Sequence, residues 1–292
     1  MNERIFKTVW ELRKSGYAEA TVEGYSCKLK VLSKIAGLNN PERVREAVAL
    51  KKCSVAFKEA LVNAYDHYVK VHGLVWTKPF YARQRALPYI ASAEQINQII
   101  SRASRRYALV FSVLRDTGLR PVELYSLALR NVDLEKGVVT PRAAKAGNPR
   151  ALVLKPSTLA MLNEYVHTQN FGLDAQLFPS PSATRHAWER YRNDVARKLH
   201  QPELRKIRLY DLRHFFATML YHRTKDILYV KEQLGHRRLE NTLIYTHLVN
   251  FGPDEYVCKV AISSNEASVL VELGFDYVAT SPDGYMLFRK LK

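Results

Sequence analysis

The chain has 292 residues, of which 47% are hydrophobic and 25% charged, a balance that suits a folded protein with a sizeable core and excludes a disordered or collagen-like polymer. Lys and Arg number 45 against 28 Asp and Glu, a formal charge of +17, whose field draws polyanions and makes nucleic acid the expected partner. No run of about 18 uncharged apolar residues marks a membrane span, the opening MNERIFK lacks the apolar core of a signal peptide, and three dispersed cysteines, Cys27, Cys53 and Cys258, argue against a disulfide framework or a thiolate zinc site. The expectation is a soluble, cytoplasmic, nucleoid-associated protein with no membrane and no small-molecule partner.

In chain order, Ile5, Val9 and Leu12 share one helical face before Gly16, and Val22, Tyr25, Leu29, Leu32 and Ile35 share another before Gly37. A third helix is expected from Pro41 to about Lys51. A fourth begins near Ser54 and carries Leu61, Tyr65, Tyr68 and Val69 toward a stop at Gly73. Residues 74–91 lose the period and hold Pro79 and Pro88 among Lys78, Arg83 and Arg85, a basic connector. Ser92 with Gln95 three residues on is a capping-box signature for the next helix. An apolar helix over Tyr107–Asp116 then stops at Thr117-Gly118, and Pro121 suits the first turn of another. GVVTPRAAKAGNPRALVL reads as two short β-rich runs joined through Ala146-Gly147-Asn148, a hairpin with a lysine at its mouth.

Helices resume near Ser157, near Ala183, from Leu209 to about His222, from Asp226 to Leu234 and from Asn241 to Leu248. The remainder reads as strand, helix and a hairpin at Pro282-Asp283-Gly284. Net charge is +8 over residues 1–85, +11 over 86–252 and −2 over 253–292, so the first two segments are suited to phosphates and the last is not. His67 and His72 are five apart, wrong for a helical zinc pair, and no phosphate-binding or dinucleotide glycine motif occurs. No cofactor is implied.

Basic side chains do stand at punctuated positions: Arg120 in TGLRPVEL, Lys145 in AAKAGNPR, Arg213 in YDLRHFFAT and His236 in LGH, with Tyr245 of YTH nine residues after His236. This set resembles the tyrosine recombinases, the phage-integrase and Xer-like site-specific DNA recombinases, whose pattern is T-G-x-R-x-x-E-L, a lysine in a β-hairpin, H-x-L-R-H-x-x-A-T, L-G-H and a nucleophilic tyrosine followed by x-H. Each piece alone is weak. Together they stand in family order and spacing. The resemblance implies a mainly α fold with a small β-hairpin: a helical core-binding domain over residues 1–84, a linker over 85–91 and a catalytic domain over 92–252; residues 253–292, more than the family's usual short segment after the tyrosine, are expected to form a small α+β extension in contact with a neighbouring protomer. It also implies double-stranded attachment sites as substrate and a homo-tetramer that exchanges strands through a Holliday junction.

The chemistry follows from the residue types. A phosphodiester wrapped in negative charge needs fixed positive donors on its non-bridging oxygens. The planar forks of Arg120 and Arg213 supply them and His236 adds a third donor. Tyr245 attacks phosphorus and stores the bond as a phosphotyrosyl ester, so rejoining needs no ATP. Lys145 protonates the departing 5′-oxygen.

One position departs from the pattern. Tyr210 stands where the family usually has the first histidine, and a phenol is a poorer base than imidazole at pH 7 but still able to hydrogen-bond a phosphate or relay a proton. Integrases of some archaeal viruses and plasmids carry tyrosine at this place, so the expectation is the integrase of an archaeal mobile element, with a host Xer-type resolvase of chromosome dimers and a non-catalytic DNA-binding regulator on the same fold as alternatives. His214 and Glu123 are expected behind the reacting groups, Glu123 orienting an arginine.

Overall fold

A computed structural model describes residues 3–82, 87–144, 147–246 and 256–291. The chain divides into two compact units, Met1–Ala86 and Leu87–Lys292. Among its described residues the first holds four helices, α1 (Glu3–Lys14), α2 (Glu19–Ile35), α3 (Pro41–Leu50) and α4 (Val55–His72). Their starts and stops are written in single residues: Asn40 accepts from Arg43 N with Pro41 at the first position of α3, Ser54 accepts from Phe57 N, and Gly73 closes α4 in the left-handed conformation. The apolar stripes meet in one core that includes Ile5, Val9, Leu12, Leu29, Leu32, Leu61, Tyr65 and Tyr68.

Tyr65 keeps its hydroxyl satisfied inside this core by donating to Leu38 O at 2.9 Å. Ile35, expected on the inward stripe of α2, is exposed; Ala36, four residues after Leu32, takes the inward position instead. Part of the expected connector is not free chain either. Leu74, Trp76 and Tyr81 pack on the same core, and Trp76 Nε1 donates to Asp66 Oδ1 at 3.3 Å.

The second unit opens with α5 (Ala93–Arg102), whose capping box forms as the sequence signals: Gln95 N donates to Ser92 Oγ and Ser92 N to Gln95 Oε1. Then come α6 (Arg105–Thr117) and the single-turn α7 (Pro121–Tyr125). Residues 109–114 of α6 are buried without a break, which makes it the central helix of the unit. A three-stranded antiparallel sheet follows, β1 (Val132–Asp133), β2 (Val138–Val139) and β3 (Leu152–Val153), with Val138 opposite Val153 and Val139 opposite Leu152. The expected hairpin is β2–β3, and β1 adds a strand that its two residues are too few to announce in sequence.

Five more α-helices follow among the described residues: α8 (Pro156–Gln169), α9 (Pro181–Lys198), α10 (Asp211–Thr224), α11 (Ile227–Leu234) and α12 (Glu240–Leu243). Trp188 of α9 is fully buried edge-on to Phe111 and donates Nε1–H to Ile207 O at 3.0 Å. A smaller cluster of Ala217, Leu220, Val230, Leu234 and Tyr245 seals α10 against α11 and α12. The helix expected to reach Leu248 is shorter: α12 ends at Leu243, and residues 247 and 248 lie outside the described residues.

After the undescribed 247–255, β4 (Tyr256–Ala261), α13 (Ser264–Glu272), β5 (Asp276–Thr280) and β6 (Met286–Leu291) form an antiparallel sheet in the order β4-β6-β5 around its own small core of Ala261, Leu270 and Phe288. The turn at Pro282-Asp283-Gly284 joins β5 to β6 as its residues predict, with Gly284 at positive φ. Among the described residues no helix is long and apolar enough to cross a membrane.

Candidate active site

Two helix ends and one buried carboxylate organise the site. Glu123, in α7, has no exposed side-chain surface and gathers three arginines. Arg120 Nη1 lies 2.8 Å from Oε1, Arg150 Nη2 2.8 Å from Oε2, and Arg213 Nη1 3.9 Å from Oε2. The Arg120 amide also donates to Glu123 Oε2 at 2.9 Å, closing the first turn of α7. Burial alone would raise the Glu123 pKa. The hydrogen bonds from Arg150 and from the Arg120 amide, with the charges of both guanidiniums, outweigh it and hold the carboxyl down at about 2. The carboxylate is therefore a fixed anion that orients cations.

Arg213 sits in the first turn of α10 and is buried. Its Nη1 donates to Gly118 O and its Nη2 to Leu234 O, both at 2.6 Å. These carbonyls belong to the C-terminal ends of α6 and α11, where unpaired carbonyls and the negative helix pole favour a cation. Each end is closed by a left-handed glycine, Gly118 and Gly235. A Cβ on Gly118 would lie 2.4 Å from the Phe216 ring, and one on Gly235 2.6 Å from Arg150 Nη1 and 3.0 Å from Asn148 O. The glycines of TGLR and LGH thus do two things: they turn the backbone and leave room for Phe216 at Gly118 and for Arg150 and Asn148 at Gly235. Burial and the neighbouring Arg120 charge lower the Arg213 pKa to about 10, which leaves it cationic at neutral pH. Among the described residues its buried Nε–H has no hydrogen-bond partner, a donor held ready.

His236 follows Gly235 and is buried; its Nδ1 lies 3.0 Å from Thr242 Oγ1. Burial first, then Arg213, Arg120 and Arg150, bring its pKa down to about 3, so the ring is neutral. When the Thr242 hydroxyl donates to Nδ1, Nε2 keeps the hydrogen and is a donor.

Tyr245 lies just beyond α12 in a tight turn, its amide donating to Thr242 O at 3.0 Å. The side chain is turned inward and almost wholly buried, and its hydroxyl is 3.1 Å from His214 Nδ1. Burial pushes the phenol pKa well above the usual tyrosine value, the charges of Arg213 and Arg120 opposing. Tyr210 immediately precedes α10 and is partly exposed, its ring edge-on to His214 with centroids 5.2 Å apart. It shares with Arg120, Arg185, Arg192 and Arg208 a cleft of about 530 Å³.

The structure thus gathers Arg120 and Arg213 about one carboxylate and sets His236 and Tyr245 at the ends of α11 and α12, while Tyr210 lines the adjoining cleft. Lys145 lies outside the described residues. Sequence reasoning passed over Arg150, whose signal is a buried glutamate with more need of cations than Arg120 alone meets, and over Arg185, Arg192 and Arg208, which tertiary structure alone collects. Among the described residues no group of three or more His, Cys, Asp or Glu could hold a metal ion.

A family model described as the Phage integrase family matches residues 90–250. A probable integrase/recombinase protein of Methanocaldococcus jannaschii is 33% identical over 170 residues, 53% of this chain and 52% of that protein. Tyrosine recombinase XerA of Saccharolobus solfataricus is 30% identical over 156 residues, 53% of this chain and 50% of that one. The chain therefore spans about half the length of these curated relatives. Among solved structures, the Tn1549 transposon integrase in complex with transposon right end DNA has the same fold, with a TM-score of 0.65 at 13% identity over 92% of this chain and 99% of that one. A lambda integrase dimer bound to a core site gives 0.64 at 13% identity over 84% and 94%.

Proposed function

The chain belongs to the phage integrase family, and on that premise we propose that it is a site-specific DNA recombinase that cuts and rejoins DNA through a 3′-phosphotyrosine at Tyr245, with neither metal nor ATP. The observation that carries this is the company Tyr245 keeps: a buried phenol against an imidazole nitrogen, in the field of two arginines organised by Glu123. Arg120 and Arg213 clamp the non-bridging oxygens of the scissile phosphate and meet the charge that grows in the transition state. Neutral His236 donates Nε2–H to the same group in the tautomer whose Nδ1 accepts from the Thr242 hydroxyl. Tyr210, at the mouth of the arginine-lined cleft, hydrogen-bonds a phosphate oxygen. Lys145 protonates the leaving 5′-oxygen.

The substrate in this reading is a duplex attachment site held by the basic 1–84 segment and the 92–252 catalytic domain, with 85–91 as linker. Four protomers act on two duplexes through a Holliday junction. Residues 253–292 contact a neighbouring protomer, a role supported by the exposed Val260, Ile262, Val269, Val271 and Val278 of this acidic module. Relatives in two archaea support an archaeal source, and Tyr210 is the feature that points to a mobile element there. A resolvase reading is favoured by the match to a protein named XerA; both readings use the same site.

The test is cleavage of fragments taken from the DNA around the gene, in EDTA, followed by detergent and sequencing of whatever DNA stays attached to protein. One defined site, flanking a mobile element, is expected. Attachment at a chromosomal dimer-resolution site would favour the resolvase. Tight binding with no attachment anywhere would favour a non-catalytic regulator.

A further inference from the structure

The nucleophile has to lose a proton, and burial of Tyr245 makes that harder. The group usually expected to take it is replaced by Tyr210, which is partly exposed and meets His214 ring to ring. His214, one turn into α10, does touch the reacting oxygen: its Nδ1 is 3.1 Å from Tyr245 Oη, with ring centroids 5.9 Å apart. The phenol O–H can donate there only if Nδ1 is bare and Nε2 carries the hydrogen. We propose that His214 is a catalytic residue of this enzyme, the general base that accepts the Tyr245 proton during cleavage and returns it during rejoining.

The step balances. The Oη–H bond breaks as its proton passes to Nδ1, the freed electron pair forms the Oη–P bond, and the P–O5′ bond breaks as the Lys145 ammonium gives a proton to the 5′-oxygen. In reverse, imidazolium returns the proton to the departing phenolate. The ring is half-buried and its surroundings are mixed: burial lowers its pKa below the ordinary histidine value, with Asp211 opposing and Arg208 and Arg213 adding to the fall. Tyr210 and Tyr245 face it from the two sides. His214 is thus neutral and able to accept at neutral pH, and Asp211 gives the cation formed a counter-charge.

This inference rests on the recombinase reading, and the experiment separates the two. Wild type and Tyr245→Phe are compared for covalent adduct formation on a suicide duplex; adduct in the first and none in the second upholds the reading. His214→Phe and His214→Asn are then timed on the ordinary duplex and on one with a 5′-bridging sulfur, whose thiolate leaves without a proton. Asn keeps a hydrogen-bond acceptor near the Nδ1 position but takes no proton. Both variants should bind DNA with wild-type affinity and cleave the ordinary duplex about 100-fold more slowly. The defect should persist on the sulfur substrate, because the nucleophile still has a proton to lose.

Recovery by His214→Asn to within about threefold of wild type would overturn the proposal in favour of a holding role. Loss of the defect on the sulfur substrate would overturn it in favour of a role at the leaving group. No adduct from wild type would remove the reading and the inference with it.

Discussion

At the scale of single residues, the buried carboxylate decides which cations are usable. Glu123 is held ionised by arginines, so its contribution has a definite pH signature. Its folded pKa of about 2 lies below the unfolded value; the stabilisation is complete above roughly pH 4.3 and is lost as pH falls toward 2. Glu123→Gln should therefore destabilise the chain by roughly 3 kcal/mol at pH 7, with the gap to wild type closing below pH 4 in denaturant melts. His236 acts at higher pH in the same direction. Its folded pKa of about 3 also lies below the unfolded value near 6.5, and a neutral imidazole that must stay neutral costs stability wherever the unfolded chain takes up the proton. Stability should fall by up to about 1.4 kcal/mol per pH unit below pH 6.5 on this account, and His236→Gln should flatten that slope. Tyr210→Phe belongs here as well. Loss of one hydroxyl at the mouth of the cleft should slow cleavage roughly five- to tenfold while DNA affinity in a gel-shift assay stays within about twofold.

At the scale of elements, the site is built on helix ends, and this is where sequence and structure agree in some places and part in others. Ser92 with Gln95, Ser54, Gly73 and Gly118 mark their helix boundaries because capping chemistry is local. The motif arginines were legible for a related reason: Arg120 and Arg213 stand beside the turns that aim them. Arg150 was not, because its role arises when a hairpin arm is laid against Gly235 and Glu123, far away in the chain. The early end of α12 was missed because the apolar spacing through Leu243, Ile244 and Leu248 continues a helical period, while the backbone tightens into i→i+3 turns at Tyr245 and Thr246. The motif puts His214 behind the site, whereas its Nδ1 lies 3.1 Å from the Tyr245 hydroxyl; periodicity tells which face a side chain occupies and nothing about which atom it meets. Gly235→Ala tests the helix-end design. Strained φ and the clash with Arg150 should cost about 2 kcal/mol in a chemical melt and lower the cleavage rate, since Arg150 and the Leu234 carbonyl that holds Arg213 shift together.

At the scale of the whole molecule, the sign and placement of charge divide the chain by task. Residues 1–252 carry all of the basic excess and 253–292 a net −2, so DNA binding by the full chain should weaken steeply with salt, and truncation after Phe251 should leave the salt slope and first-strand cleavage unchanged. The same truncation should abolish tetramer formation on DNA, read by native mass, if the apolar outer surface of the small sheet and α13 meets a neighbour; a truncated chain that still assembles and recombines would sink that role. The mainly helical architecture was readable from periodicity, and the mixed character of 253–292 from its alternation and its Pro-Asp-Gly turn. Assembly was not readable in the same way, since one chain does not display its partner. The central claim is that one of 17 tyrosines forms the covalent bond to DNA. The most direct measurement is digestion of the trapped protein–DNA adduct and mass spectrometry of the nucleotide-bearing peptide: a phosphodiester-linked nucleotide on Tyr245 is expected, and a nucleotide on Tyr210 or any other residue would contradict the account.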